Sequence, residues 1–218
     1  MSAASIQRKI SLEKWKRAGI FKHFIEDVRC VISVTADINV TGVLPFCKAE
    51  GRRFYPTFIY IVSKAVNSRE EFKMGYNEKS ELIVWDEVSP SYPVFHPEDE
   101  LFTRLVTTYS PDFSTFYQRI LADMEKHKDA RGHEITYAEQ NTFDVSCLPW
   151  LHYNTLDLHI FDSGTYLAPV ITWGKYRRQG SGYTMPLTIQ IHHAVADGFH
   201  IARFYDDVQF QIKCLTDT

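Results

Sequence analysis

Two adjacent histidines near the C-terminal end of the chain, His192 and His193, are followed by Asp197 and Gly198. A neutral histidine is the usual general base near neutral pH, because the reference pKa of its imidazole is about 6.5. The carboxylate could orient that ring or pair with a distant arginine, and glycine allows a backbone angle or a close approach that a side chain would block. Since short motifs recur by chance, the same residues also fit a polar strand end, a turn and a helix cap.

The elements around this motif place it at a strand-to-helix junction. An alternating run leads into the histidine pair and predicts a strand over residues 183–192, and a helical pattern follows over residues 199–213. A strand end holds side chains rigidly beside open space, which makes this junction a candidate site for chemistry.

The rest of the chain alternates helices and strands without a regular repeat of strand, helix and strand. This pattern predicts a single domain, residues 1–218, of α+β class, with a mixed sheet flanked by helices. Residues 113–124 have apolar side chains at helical spacing and are predicted to form core rather than a cofactor pocket. Further predicted helices are 11–24, 41–50, 57–67 and 111–128, further strands are 28–38, 72–76, 81–85, 92–95, 103–108, 143–147, 151–160 and 169–176, and 129–141 is a predicted loop.

Composition excludes several classes of protein. The chain has 218 residues, 44% of them hydrophobic, which is enough for one sizeable core. Its net charge of −3 does not indicate a nucleic acid or an anionic membrane as a partner. No apolar run reaches the length of a signal peptide core or a membrane span. The widely spaced Cys30, Cys47, Cys147 and Cys214 are interpreted as buried, reduced thiols of a cytoplasmic protein.

Residues 185–204, which contain the histidine motif, closely resemble the HHxxxDG signature of the trimeric chloramphenicol acetyltransferase family. The resemblance covers nearly the whole chain and implies the two-layer sandwich of CoA-dependent acyltransferases. It implies a homotrimer with active sites at subunit interfaces, where one subunit supplies the base and its neighbour much of the acceptor pocket. The other matching stretches are 15–17, 48–61, 81–86, 94–96, 146–150 and 168–176.

The resemblance also implies a reaction and a role for each catalytic residue. His193 would take the proton of the 3-hydroxyl of chloramphenicol, which then attacks acetyl-CoA directly in a ternary complex. Asp197 would pair with Arg17 and hold the shape of the site. Ser146 would stabilise the oxyanion, and Thr172 would do so through water. Without the resemblance, Arg17 would be read as a solvated helix residue and Ser146 as an ordinary strand serine.

The resemblance implies acetyl-CoA as a co-substrate, with no permanently bound cofactor and no metal. Arg53 and Lys175 carry the positive charge that a 3′-phosphate requires. The residues that match coenzyme-binding positions are Arg53, Tyr55, Trp150, Lys175 and Tyr176, and those that match acceptor-binding positions are Phe24, Val28, Cys30, Phe102 and Phe143.

Three departures from the family pattern concern the acceptor. Phe24 stands where a tyrosine is common, and Arg104 stands where a small residue is usual. Ala18-Gly19-Ile20 replaces a charged stretch after Arg17. These changes leave the residues of acyl transfer in place and bear on acceptor affinity.

Three alternatives remain open at this point. The first is a CoA-dependent acyltransferase with the same base and a different alcohol, amine or thiol acceptor. The second is a metalloprotein that uses His192, His193, Asp197 and His200, although no metal-binding spacing supports it. The third is a binding protein that keeps the fold without catalysis.

Overall fold

A seven-stranded mixed sheet runs through the computed structural model, which describes residues 7–131, 141–158, 160 and 165–217. The strands are β1 Gln7–Lys9, β2 Val31–Asn39, β3 Met74–Tyr76, β4 Leu82–Trp85, β5 Ser89–His96, β6 Leu101–Val106, β7 Thr142–Leu148, β8 Val170–Gly174, β9 Arg177–Gln179 and β10 Gly182–His192. The helices are α1 Ala18–Lys22, α2 Val43–Ala49, α3 Phe54–Asn67, α4 Phe113–Lys126 and α5 Gly198–Thr216, with a π-helical turn at His23–Asp27 and a 3₁₀ turn at Glu70–Phe72.

The strand order of the large sheet is β2-β10-β8-β7-β5-β6, and β9 also pairs with β10. The β5–β7 and β7–β8 pairs are parallel, and the other pairs of this sheet are antiparallel. A smaller antiparallel sheet has the order β1-β4-β3, and its β3 and β4 correspond to the predicted strands 72–76 and 81–85. The prediction of an α+β fold with a mixed sheet and flanking helices is therefore confirmed.

One face of the large sheet forms the core. Successive side chains of a strand point to opposite faces, so the odd-numbered residues Leu187, Ile189 and Ile191 of β10 share this face, and each is at most 1% exposed. The helices α3 and α5 cover it. The ring of Phe58 in α3 lies 4.8 Å from that of Trp173, and the Tyr205 hydroxyl of α5 donates to the Leu187 carbonyl at 2.8 Å.

The opposite face of the sheet carries polar side chains in register. The pairing aligns Ser146, Thr172, Thr188 and Thr35 in one row across four strands. Thr172 and Thr188 are buried, because residues 149–158, which follow β7 and form the crossing segment, pass over this row. The Tyr153 hydroxyl donates to the Thr172 carbonyl at 2.8 Å and accepts from the Thr188 hydroxyl at 3.0 Å.

The prediction of a strand at 151–160 is wrong over the residues that the structure describes. Side chains of the polar face bind the backbone of this segment in place of a strand ladder. The Ser33 hydroxyl donates to the Leu156 carbonyl at 2.8 Å, and the Leu158 N–H donates to the Gln190 side chain at 3.0 Å.

The predicted helix at 11–24 is also wrong in its extent. The chain forms turns up to residue 17, then the short α1 and the π-helical turn, and β2 begins at Val31 because Arg29 takes a positive φ of 45°. Residues 177–182, between the predicted strands 169–176 and 183–192, contain β9, which forms a hairpin with β10 through Gly180 at φ 60°. Most of the predicted loop 129–141 lies outside the described residues.

The predicted burial of the four cysteines is correct only for Cys47. Cys30 and Cys147 are half-buried and Cys214 is exposed, and no disulfide joins these four residues, all of which the structure describes. Within the described ranges, no helix has the length and apolar character needed to cross a membrane.

Gly174 ends β8 where the crossing segment presses on the sheet. A Cβ there would lie 2.6 Å from the Leu151 carbonyl oxygen and 2.9 Å from Tyr153. We expect Gly174→Ala to lower the free energy of unfolding by about 1–3 kcal/mol in urea denaturation, because a backbone carbonyl cannot yield as a flexible side chain does.

Gly19→Ala is the matched control for this substitution. A Cβ at Gly19, inside α1, meets nothing within 4 Å. Alanine should therefore leave stability unchanged or raise it by about 0.5–1 kcal/mol. Equal losses in the two variants would contradict the close contact at Gly174.

Candidate active site

His193 follows the last residue of β10 and is held on three sides. Its backbone N–H donates to the Cys30 carbonyl at 2.8 Å, and its ring stacks on Phe24 with centroids 3.9 Å apart and planes 15° apart. Its Nδ1 lies 3.0 Å from the Ala196 carbonyl oxygen. A carbonyl only accepts, so Nδ1 carries the proton and the lone pair of the neutral ring is on Nε2. A neutral ring held in this way can accept a proton only at Nε2.

Arg17 ties the turn between β10 and α5 to the N-terminal region. Its Nε donates to the Ala194 carbonyl and its Nη2 to the His193 carbonyl, each at 3.0 Å. Its Nη1 pairs with the Asp197 carboxylate at 2.8 Å. The side chain of Arg17 is only 13% exposed. One guanidinium therefore fixes the backbone of the candidate base and the acid four residues after it.

Asp197 is the N-cap of α5. Its carboxylate accepts from the Phe199 N–H at 3.1 Å and from His200 Nδ1 at 2.8 Å. Burial by itself raises the pKa of this carboxyl group, but hydrogen bonds from Arg17 and His200 outweigh that effect and lower the pKa to about 2. Asp197 is therefore an anion near neutral pH. In the part of the chain that the structure describes, no hydrogen bond joins Asp197 to the His193 ring. The spacing allowed this carboxylate to contact either the ring or a distant arginine, and the structure shows the contact with Arg17.

A cavity of about 700 Å³ opens at the carboxyl ends of β7 and β8. Most of the predicted coenzyme and oxyanion residues meet there. Trp150 stands at its mouth with its ring 4.9 Å from that of Phe95. The predicted site residues that line this cavity are Arg53, Tyr55, Phe102, Ser146, Trp150, Lys175 and Tyr176.

Ser146 and Thr172 are neighbours on paired strands. Ser146 is half-buried and lines the cavity, whereas Thr172 is buried beneath the crossing segment. Cys147 also lines the cavity, and burial raises the pKa of its thiol to about 12. A thiol that stays protonated is a poor nucleophile, so direct transfer suits this cavity better than a covalent cysteine intermediate.

The remaining predicted residues lie elsewhere. Phe24 and Cys30 contact His193 directly, and Val28 is 51% exposed just before β2. Phe143 is 1% exposed, packs in the core and does not line the cavity. Within one chain, the predicted site therefore falls into two clusters: a base cluster of Arg17, Phe24, Cys30, His193 and Asp197, and the cavity that contains Ser146.

The register gives the separation of these clusters. Ser146 lies in the row of Thr188, two strands away from β10, and His193 lies five residues beyond Thr188. With about 4.8 Å between strands and about 3.3 Å per residue, His193 and Ser146 of one chain are roughly 20 Å apart. This is too far for both to act on one reacting bond.

Two residues of the site, Tyr153 and Asp144, could not be found by sequence reasoning. Tyr153 links the crossing segment to the row that contains Thr172. Arg104 lines the cavity and pairs with Asp144, a partner that nothing in the spacing indicates. In the part of the chain that the structure describes, no group of three or more His, Cys, Asp or Glu side chains could hold a metal ion.

Comparisons with solved structures give the class of protein first. A chloramphenicol acetyltransferase superposes with a TM-score of 0.81 at 23% identity, over 97% of this chain and all of the other. A dihydrolipoamide acetyltransferase from Azotobacter vinelandii superposes with a TM-score of 0.64 at 15% identity, over 85% and 84% of the two chains. At these identities the likeness shows the fold, which is that of an acetyltransferase catalytic domain.

Sequence comparisons then give the family. The family model for chloramphenicol acetyltransferase matches residues 6–209. A chloramphenicol acetyltransferase of Clostridium perfringens is 39% identical over 201 residues, 92% of each chain. Chloramphenicol acetyltransferase 3 of Escherichia coli is 36% identical over 202 residues, 92% of this chain and 94% of the other. The chain belongs to the chloramphenicol acetyltransferase family and is an acetyltransferase.

The coupling between Arg17 and Asp197 can be measured by a double-mutant cycle with Arg17→Ala and Asp197→Asn. Because both side chains are partly buried and share one contact, we expect an interaction energy of about 0.5–3 kcal/mol in urea unfolding. The control cycle uses the exposed pair Arg8 and Glu70, whose side chains are 58% and 63% exposed. Additive effects at Arg17 and Asp197 would contradict the coupling.

Proposed function

We propose that the protein transfers the acetyl group of acetyl-CoA to the 3-hydroxyl of chloramphenicol and so inactivates the antibiotic. The names of its relatives support this substrate pair. The observation that carries the mechanism is the contact of His193 Nδ1 with the Ala196 carbonyl, because it leaves the lone pair on Nε2. The protein thereby confers resistance to chloramphenicol.

The reaction proceeds in two steps without a covalent enzyme intermediate. Nε2 of His193 accepts the proton of the 3-hydroxyl while the hydroxyl oxygen attacks the thioester carbonyl. The Ser146 hydroxyl donates to the oxyanion of the tetrahedral intermediate, and Thr172 assists through water. Collapse of the intermediate breaks the carbon–sulfur bond, and the proton on Nε2 passes to the departing CoA sulfur. The products are 3-O-acetylchloramphenicol and CoA.

The coenzyme occupies the open end of the cavity. Arg53 and Lys175 supply positive charge for its phosphates, and Trp150 and Tyr176 offer aromatic surface for its apolar parts. Acetyl-CoA enters as a substrate and leaves as CoA. We place the enzyme in the cytoplasm because acetyl-CoA is available there.

The complete active site requires a second copy of the chain. His193 and Ser146 of one chain are roughly 20 Å apart, and the spacing of the strands fixes this distance. Only a second copy could bring a His193 close to this Ser146, which supports a site shared between copies. Exposed apolar side chains flank both halves: Val28 and Val31 near the base, Phe102 and Trp150 at the cavity. We propose a homotrimer, the assembly that the family resemblance implies, with His193 of one copy facing the cavity of the next.

The proposed function is tested by the release of thiol from acetyl-CoA, with and without chloramphenicol. We expect rapid release that depends on the antibiotic. His193→Ala should lower kcat by about 10²- to 10⁴-fold, because the base is lost. His127→Ala, at the C-terminal end of α4, is the control and should be as active as the wild type.

Two results would overturn parts of this proposal. If folded protein bound acetyl-CoA but released no thiol with chloramphenicol, the acceptor would be a different molecule. If His193→Ala retained wild-type kcat, His193 would not be the base.

Shared sites predict complementation between two inactive variants. When His193→Ala and Ser146→Ala chains are unfolded together in equal amounts and refolded, random trimers place an intact His193 against an intact Ser146 in about a quarter of the interfaces. Thiol release should therefore return to about a quarter of the wild-type rate per chain. Activity that stays at the mean of the two separate variants would contradict a site between copies.

A further inference from the structure

Arg104 lines the cavity beside the apolar side chains of Phe102 and Val94, and Glu100 also lines it. The Arg104 side chain is only 18% exposed. Its Nε donates to the hydroxyl of Ser91 at 2.8 Å, and its Nη2 forms an ion pair with Asp144. Because two neighbouring strands hold the planar guanidinium, its positive charge has a fixed position.

The ion pair between Arg104 and Asp144 is oriented with respect to the cavity. Arg104 lines the cavity and Asp144 does not. Asp144 is 22% exposed and also accepts a hydrogen bond from the Tyr166 hydroxyl behind the wall. The pair is neutral as a whole, but its positive end faces the substrates.

The sheet register places this charge on the acceptor side of the site. Arg104 pairs with Pro93, and continuing the parallel register of β5 and β7 by two residues sets Pro93 opposite Ser146. Arg104 therefore lies two strands from Ser146, at roughly 10 Å. The coenzyme residues Trp150, Lys175 and Tyr176 follow the carboxyl ends of β7 and β8, whereas Asp144 lies two residues deeper than Ser146 in β7.

A fixed charge at this distance discriminates between acceptors. With an effective dielectric constant of about 20, gaining or losing one unit charge about 10 Å away changes binding by about tenfold or slightly more. The intact pair, whose positive end is the nearer one, has a smaller effect of the same sign as the guanidinium alone. An acceptor with an ammonium group is disfavoured by the guanidinium, while one with an amide or nitro group meets no such penalty.

We propose that Arg104 is a specificity-determining residue, and that the pair it forms with Asp144 disfavours cationic acceptors at the acceptor end of the cavity. The inference rests on the proposed function, because it concerns the second substrate of that reaction. Arg104 thus selects the charge of the acceptor and takes no part in acyl transfer.

Two acceptors with the same 3-hydroxyl and nitrophenyl groups test the proposal: chloramphenicol and its deacylated amine. The ratio of their kcat/KM values is measured below the pKa of the amino group for the wild type, Arg104→Met, Asp144→Asn and Arg104→Lys. Where turnover of the amine is too slow, its inhibition constant against chloramphenicol replaces kcat/KM. Retention of the thermal midpoint shows that each variant is folded.

The two neutralising substitutions should move this ratio in opposite directions. Arg104→Met makes the wall net negative and should reduce the preference for chloramphenicol about tenfold, whereas Asp144→Asn makes it net positive and should increase the preference about tenfold. Arg104→Lys keeps the charge and should stay near the wild type. A general disturbance of the cavity would instead shift both neutralised variants in the same direction, and that result, or no shift, would overturn the proposal.

The outcome is separable from that of the proposed function. If the wild type releases no thiol with chloramphenicol, the proposed function fails. If it releases thiol but the ratio does not move in opposite directions, only the role of Arg104 fails.

Discussion

The Arg17 guanidinium is the interaction on which the site depends. It satisfies two carbonyl groups of a tight turn and the carboxylate that caps the following helix, across 176 to 180 residues of sequence. A turn of this kind leaves backbone acceptors that neither the strand nor the helix can use. By supplying three donors from one rigid fork, Arg17 fixes the backbone of His193, and the Phe24 ring and the Ala196 carbonyl then fix its imidazole.

The large sheet separates stability from chemistry by the alternation of its side chains. Odd-numbered residues of β10 pack against α3 and α5, and the even-numbered Thr188 and Gln190 point to the polar face. Burial of polar groups is costly unless each finds a partner. Here the crossing segment supplies partners through Tyr153, Leu156 and Leu158. The same segment carries Trp150 to the mouth of the cavity, so satisfying the polar face also builds the candidate coenzyme site.

Local sequence patterns were sufficient to predict the helices and strands whose backbone groups bond within a regular helix or sheet. The strand before His192 and the helix after Gly198 follow from periodicity, and so does α4, whose Phe116 and Ile120 are fully buried as predicted. The segment 151–158 has a strand-like sequence, but side chains from other strands take up its backbone groups, and no local pattern records that competition.

The candidate site was predictable to a different degree. Only the family resemblance pointed to Arg17 as the partner of Asp197, since a contact between residues 180 positions apart leaves no trace in spacing. It also named Ser146 and the coenzyme residues that the fold brings into one cavity. Neither the residue spacing nor the family resemblance indicated the pairing of Arg104 with Asp144, because that contact arises from the register of β5, β6 and β7. The resemblance implied a site divided between subunits, but the distance between the two clusters within one chain followed only from the strand order.

Asp197 begins α5 and also anchors Arg17, so a single helical turn belongs to both the scaffold and the site. Its carbonyl accepts the Ile201 N–H at 3.0 Å, the first bond of the helix. Fraying of this turn would release the guanidinium and let the His193 ring rotate, while the rest of the core remained folded. Helix ends open far more often than whole domains do. Local opening of this one helix end would therefore disable the candidate site without unfolding the domain, and amide exchange at Ile201 would report it before any global melting signal.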